Sequence, residues 1–394
     1  MNARERFHAV MNFEPCDRTL LWEFGYWAGA MQRWYTEGLP RRYGIPEQFK
    51  VGEDIAGELM PWPWLIDDPA PRDRDVHEYF GLDPGLHRIP AAYMFYPRFE
   101  WRELEDLGDT IIVQDENGIK KRVKKDRSSV PDFISWPISN REDFERLKAE
   151  RLQPRLEDRL PGNWDDMVRD FQERDYPIAM GGGHLGLYGT PRDMIGEENL
   201  LLMYYDNPQL IRDLLDHMTD LWIAIFDRIL KDVKVDCAVL WEDMCYRNGP
   251  MISPEMVKEF MVPGYQKITS FLRDNGVDII VLDTDGYCWK LIPLFLEGGI
   301  TGLYPFEVQA GMDVVEVRDQ FPKLQILGGL DKRNLALDKE ILEKELSYKL
   351  PFMLEHGGYI PAADHLITPE ATWENFSYYR KRIEELAAAH PFHG

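Results

Sequence analysis

The stretch VDIIVLDTDG (277–286) decides the fold. Ile279, Ile280, Val281 and Leu282 form a short apolar run that reads as a buried strand. Asp283 and Asp285 follow one residue apart, and Gly286 turns the chain into an apolar helical segment. Side chains two apart on a strand share a face. Two carboxylates therefore stand together where a buried strand ends.

The same figure recurs along the chain. Apolar runs ending in polar residues are PIAMGGGH (177–184), VDCAVLWED (235–243), ITGLYPFE (300–307), LQILGGLD (324–331) and YIPAADH (359–365). TLLWEF (19–24) fits the same role. Helical segments lie between them. Asn207-Pro208 gives an N-cap followed by a proline at the first helical position, and Ile211, Leu214, Leu215, Met218, Trp222, Ile225, Phe226 and Ile229 keep helical spacing. Ser253-Pro254-Glu255 and Thr368-Pro369-Glu370 repeat the cap–proline–acid start. Gly298-Gly299 and Gly357-Gly358 stop helices.

Strand–helix alternation implies parallel strands with crossover helices, in a (β/α)8 barrel or an open doubly wound sheet. The polar residues favour the barrel. Glu23, His184, Glu242, Asp243, Asp283, Asp285, Glu307, Asp331, Asp364 and His365 all fall at or just after strand C-termini. In a TIM barrel those ends converge on one mouth, whereas an open sheet spreads them along an edge. Seven strands can be named and an eighth is inferred. One α/β barrel domain is expected over 1–394. It carries an N-terminal aromatic-rich extension, which includes MPWPWLIDDPAP (60–71) and reads as a wrapped, loop-rich segment. An insertion is expected over 100–175. DTIIVQDENGIKKRV (109–123) places two β-prone runs around Asn117-Gly118, a hairpin signal, and a charged helical connection follows.

Of the 394 residues, 44% are hydrophobic, enough for a large core. The formal net charge of −23 argues against nucleic acid or an anionic membrane surface as partner. Cys16, Cys237, Cys245 and Cys288 form no C-x-x-C pair, so a zinc ribbon or thioredoxin-like motif is absent. Scattered cysteines and an N-terminal stretch without an apolar signal core lead us to expect a cytoplasmic protein.

Asp283 and Asp285 are the sharpest chemical feature. Adjacent buried carboxylates repel, and a cation or a shared proton resolves the conflict. The bland alternative is that one caps the next helix while the other is solvated. Glu242 and Asp243 end a strand in the same way, as metal ligands or general acid or base, or else as structural residues that cap the next turn or pair with Arg247. Asp364-His365 ends the last strand. GGGHLGLYG (181–189) lacks the order of a phosphate loop and reads as close backbone approach to a ligand, with His184 facing the mouth. Lys332 and Arg333 suit a substrate carboxylate or phosphate, unless they are solvated surface charges.

At these residues the sequence resembles the uroporphyrinogen decarboxylase superfamily, which includes the decarboxylases proper and cobalamin-dependent methyltransferases. The resemblance runs through RERFHAVMNFEPCDR (4–18), LWEDMCYRNGPMISPEMVKEFMVPGYQKI (240–268), VLDTDGYCWKLIPLFLEGGITGLYPFE (281–307), ILGGLDKRNLA (326–336) and GGYIPAADHLITPEATWENF (357–376). It implies a (β/α)8 barrel with its site at the C-terminal mouth. The decarboxylases carry an N-terminal Arg-Gln-Ala-Gly-Arg motif that grips the porphyrinogen carboxylates. The corresponding region here reads WEFGYWAG (22–29), without those arginines. The methyltransferases bind zinc through His-x-Cys and a later Cys. Those positions fall on Asp283, Asp285 and His365, so the resemblance implies a thiolate-free divalent metal site, zinc or a harder cation.

The expectation is a metal-assisted methyl transfer on a small-molecule substrate. Asp283, Asp285 and His365 would hold the metal. Glu242, Asp243 and His184 would be catalytic, and Lys332, Arg333 and Glu307 would bind substrate. A corrinoid carried by a partner protein is implied. Decarboxylation of a carboxylate substrate and a non-catalytic, ligand-binding barrel are the alternatives.

Overall fold

The computed structural model describes residues 1–43, 73–125 and 131–394. MPWPWLIDDPAP lies outside the described residues. In chain order the strands are β1 (His87–Arg88), β2 (Arg102–Asp106), β3 (Thr110–Gln114), β4 (Lys120–Lys124), β5 (Asp132–Ser135), β6 (Ile178–Gly181), β7 (Cys237–Trp241), β8 (Cys245–Tyr246), β9 (Gly249–Pro250), β10 (Ile280–Thr284), β11 (Gly302–Pro305), β12 (Gln325–Leu327) and β13 (Tyr359–Ile360).

The main sheet is parallel throughout, in the order β1-β6-β7-β10-β11-β12-β13. Each strand pairs with its neighbour in sequence, so there is no point at which the order reverses. That is barrel winding; a doubly wound sheet has a switch point. The fold is α/β and TIM-barrel-like, with every residue of β6, β10 and β11 buried.

Between β13 and β1 the ladder is open, and the segment 19–26 lies across the gap. TLLWEF is not a strand, because its polar bonds go mostly to side chains. Leu21 N–H donates to the Asp83 carboxylate (2.8 Å), and the Ala363 N–H donates to Glu23 Oε1 (2.7 Å). Thr19 Oγ1 donates to the Tyr359 carbonyl (2.6 Å), and one parallel bridge joins Tyr26 to Ile367. Glu23 also pairs with Arg380 at 3.0 Å, both fully buried. The strand not named from sequence is β1. Two polar residues inside GLDPGLHRIP carry neither alternation nor an apolar run.

The expected hairpin is β3–β4, with Asp115 Oδ1 accepting from the Asn117 and Ile119 amides across the turn. It is the centre of a four-stranded antiparallel sheet, β2-β3-β4-β5. The outer strands RELED and DFIS are charged or short, and so gave no strand signal. The charged connection forms three helices, Arg141–Glu150, Leu156–Arg159 and Trp164–Gln172.

The helix Pro208–Leu230 starts as expected, with the Asn207 side chain accepting from the Leu210 amide. Its apolar stripe is buried from Leu210 to Ile229. Ser253 caps the turn at Pro254–Met256. The last helix departs from expectation. Thr372, not Thr368, caps Trp373–Ala389, and residues 369–371 form a turn ahead of it. The cap–proline–acid pattern fits the first position of a tight turn as well as a helix start.

Candidate active site

β10 delivers the paired acids. Asp283 lies opposite Trp241 of β7 and Tyr304 of β11. Its carboxyl is buried, and its pKa is driven well above the carboxylate range by that burial, then by Asp285 and Asp243. Asp285 sits just past the strand end. Burial, with Asp243 and Glu307 adding to it and Lys332 opposing, pushes its carboxyl up to about 8. Its side chain retains 31% exposure. Both carboxyls are thus pushed toward the protonated form.

Gly286 is required where it stands. Its φ is +72°, and a Cβ would lie 2.3 Å from the Cys245 carbonyl oxygen. The β8–β9 hairpin therefore packs directly on the turn after β10, and Tyr287 N–H donates to the Tyr246 carbonyl at 2.9 Å.

A cavity of about 570 Å³ opens at this point. Asp285, Gly286, Asp243, Glu307 and Arg333 line it, with Arg192, Glu197, Cys245, Tyr246, Arg247, Met251, Gln309 and Ala310. Its volume suits a small molecule. Asp243 accepts from Arg192 through its carboxylate (3.0 Å) and its carbonyl (2.6 Å). Burial still raises the Asp243 carboxyl above the ordinary range, against the pull of Arg192. Glu307 Oε2 accepts from the Gly286 amide at 3.0 Å, tying the β11 end to the β10 end.

Behind the cavity wall Lys332 balances the acids. Its Nζ lies 3.5 Å from Asp364 Oδ1 and 3.7 Å from Glu307 Oε1. Asp364 also accepts from the Val308 and Lys332 amides, bracing two loops, and burial raises its carboxyl to about 6. Arg333 is held by Asp331 through Nε (2.8 Å) and a second nitrogen (2.6 Å).

His365 Nε2 stands 3.6 Å from Asp285 Oδ2, and its ring stacks on Phe24 at 5.0 Å. Burial, with Lys332 adding to it, lowers the imidazole to about 4, so it is neutral at pH 7. Neutral imidazole and carboxylate are acceptable ligands for zinc or a harder cation. Yet among the described residues no three His, Cys, Asp or Glu side chains converge as a metal set requires. The three expected ligands form a carboxylate pair and a carboxylate–imidazole contact rather than a three-donor site.

Two expected catalytic residues stand elsewhere. Glu242 is fully buried and accepts from the Leu187, Tyr188 and Gly189 amides and from the Tyr265 hydroxyl. These bonds occupy both oxygens in bracing the 186–189 turn, and leave it unsuited to binding metal or relaying protons. Within the glycine-rich run, Gly186 and Gly189 serve that packing. A Cβ on Gly186 would lie 1.9 Å from the Trp241 carbonyl oxygen and 2.8 Å from Glu242. His184 contacts Asp193 at 3.1 Å and lies outside the cavity lining.

The structure adds Arg192, which sequence reasoning passed over, and places Arg247 on the cavity wall rather than against Glu242 or Asp243, since Asp243 pairs with Arg192 instead. Arg192 comes from the helix Gly189–Ile195 and carries no local signal. Arg247 is a basic residue in a loop just past an acid-ended strand, the one hint available.

The uroporphyrinogen decarboxylase (URO-D) family model matches residues 108–386, well over half of the chain. The chain belongs to the uroporphyrinogen decarboxylase family. A solved methyltransferase from Methanosarcina mazei is 16% identical to this URO-D family member, covers 98% of it and 99% of its own chain, and superposes with a TM-score of 0.56. At that identity the likeness is one of fold. A putative vitamin-B12 independent methionine synthase from Listeria monocytogenes is 12% identical, covering 56% of this chain and 69% of its own, at a TM-score of 0.33. The 3-keto-L-gulonate-6-phosphate decarboxylase from Vibrio cholerae is 9% identical, covering 54% and 85%, at 0.23. No curated protein matches the sequence. Among the described residues no helix is long and apolar enough to cross a membrane.

Proposed function

We propose that this URO-D family member is a methyl-transferring enzyme in which a carboxylic acid, rather than thiolate-bound zinc, activates the substrate. The observation that carries the reading is the placement of Asp285. It faces the cavity with Asp243 and Glu307 on the same wall and Asp283 two residues behind. Burial, with Asp243 and Glu307 beside it, favours the protonated form of Asp285, and a proton held at a cavity wall is a general acid.

In the forward step Asp285 gives its proton to the heteroatom that releases the methyl group. The C–O or C–N bond breaks with its electron pair on that heteroatom. A reduced corrinoid, presented at the mouth by a partner protein, would supply the nucleophile that takes the methyl group. Burial, Asp243 and Glu307 keep Asp285 protonated, and after it has given up its proton solvent at the cavity mouth restores it between turnovers.

Free cob(I)alamin, mixed with methoxylated and N-methylated small carboxylates, tests the proposal. Methylcobalamin formation, read optically, is the expected result, lost in Asp285→Asn. Stoichiometric zinc that disappears in Asp285→Asn would replace the acid by a metal.

A second reading is decarboxylation, for which the same protonated carboxyl would supply the proton taken up by carbon. CO2 release from the same acids, without methylcobalamin, selects it.

A further inference from the structure

We propose that Arg247 anchors the carboxylate of a singly anionic substrate with an apolar body. This rests on reading the 570 Å³ cavity as the reacting site. Arg247 projects from the turn between β8 and β9 and lines that cavity.

The other two arginines on the wall are engaged. Arg192 donates to the Asp243 carbonyl and carboxylate, and Arg333 donates to Asp331. Among the described residues Arg247 has no hydrogen-bond or ion-pair partner. Arg247 is exposed, so its guanidinium can be reached by a ligand from solvent. A guanidinium presents a planar fork that matches a carboxylate through two parallel bonds.

The rest of the wall sets the remainder of the ligand. Met251, Ala310 and Tyr246 offer apolar contact. Glu197, Asp243 and Glu307 would repel a second anion. One uncommitted arginine suits one carboxylate better than a phosphate dianion, which is usually held by several cations or amides. The ligand is thus a monocarboxylate whose far, neutral end meets Asp285. A tetracarboxylate would set its further charges against those acids.

Calorimetric or NMR titration with benzoate, its neutral isostere benzamide and inorganic phosphate tests this on the full chain. Wild type should bind benzoate roughly tenfold or more tightly than benzamide, as loss of a charge-assisted pair predicts. Arg247→Ala should erase that preference and leave benzamide binding in place. Arg247→Lys, with charge but no fork, should restore part of it. Equal binding of benzoate and benzamide, a preference that survives Arg247→Ala, tighter binding of phosphate, or no saturation by benzoate up to about 10 mM would each overturn the assignment. Asp285→Asn separates the two claims. It should retain the benzoate preference while losing turnover. Full turnover in Asp285→Asn with the preference intact rejects the acid mechanism and keeps the anchor.

Discussion

A carboxyl that holds its proton to about pH 8 works as an acid only below that pH. Turnover that depends on Asp285 should therefore fall as pH rises through about 8, and Asp285→Asn should cost about 10²–10⁴-fold in kcat. A kcat–pH profile of wild type, with a falling limb near that value, checks it. The same proton predicts stability. A carboxyl in the unfolded chain releases its proton near pH 4, but Asp285 keeps it in the folded state to about 8. The native state then binds more protons across that window, so stability is lost as pH rises through it. Asp285→Asn should remove this penalty and raise stability at pH 8 by on the order of 1–3 kcal/mol, discounted because the side chain is partly exposed. Thermal melts at pH 5 and pH 8 should show the gain chiefly at pH 8. The pairing of Asp283 with Asp285 was legible from spacing alone, because alternate positions at a strand end share a face, although Asp285 is raised chiefly by burial, Asp243 and Glu307. Arg247 was not. A single arginine in a loop has no periodicity, and its value comes from which neighbours leave it unpaired.

Glu242 shows the limit of reading one element at a time. In sequence it matches Asp283 and Asp285, an acid ending an apolar strand. What distinguishes it is the 186–189 turn, which arrives from another element and offers three amide donors, joined by the Tyr265 hydroxyl. Glu242→Gln keeps the shape but sets an amide donor against those donors. It should destabilise the fold by about 2–4 kcal/mol, whereas Tyr265→Phe should cost only about 1 kcal/mol. Urea unfolding measures both. If Glu242→Gln instead leaves stability untouched and abolishes turnover, Glu242 is catalytic after all. The same dependence on distant partners separates the helix Pro208–Leu230, announced by local periodicity and a local cap, from the last helix, whose start a turn displaced.

At the scale of the whole molecule, the alternation of runs and helices specified the winding. The closure was hidden, because it uses bonds between side chains and backbone across the seam. Glu23 joins the Ala363 amide and Arg380 there. Glu23→Ala leaves the Arg380 charge buried and should cost about 3–5 kcal/mol. Hydrogen exchange should then rise in 19–26 and 359–367 before it rises in β7 or β10.

That seam also times assembly. Thr19 meets Tyr359 across 340 positions of sequence, and Phe24 meets His365 across a comparable span. A nascent chain exposes β6 through β11 before its last crossover is made. It cannot bring His365 beside Asp285, or seat Phe24 on that imidazole, until the last crossover has been synthesised. A protein truncated before 365 would carry the paired acids without the histidine that stands 3.6 Å from Asp285.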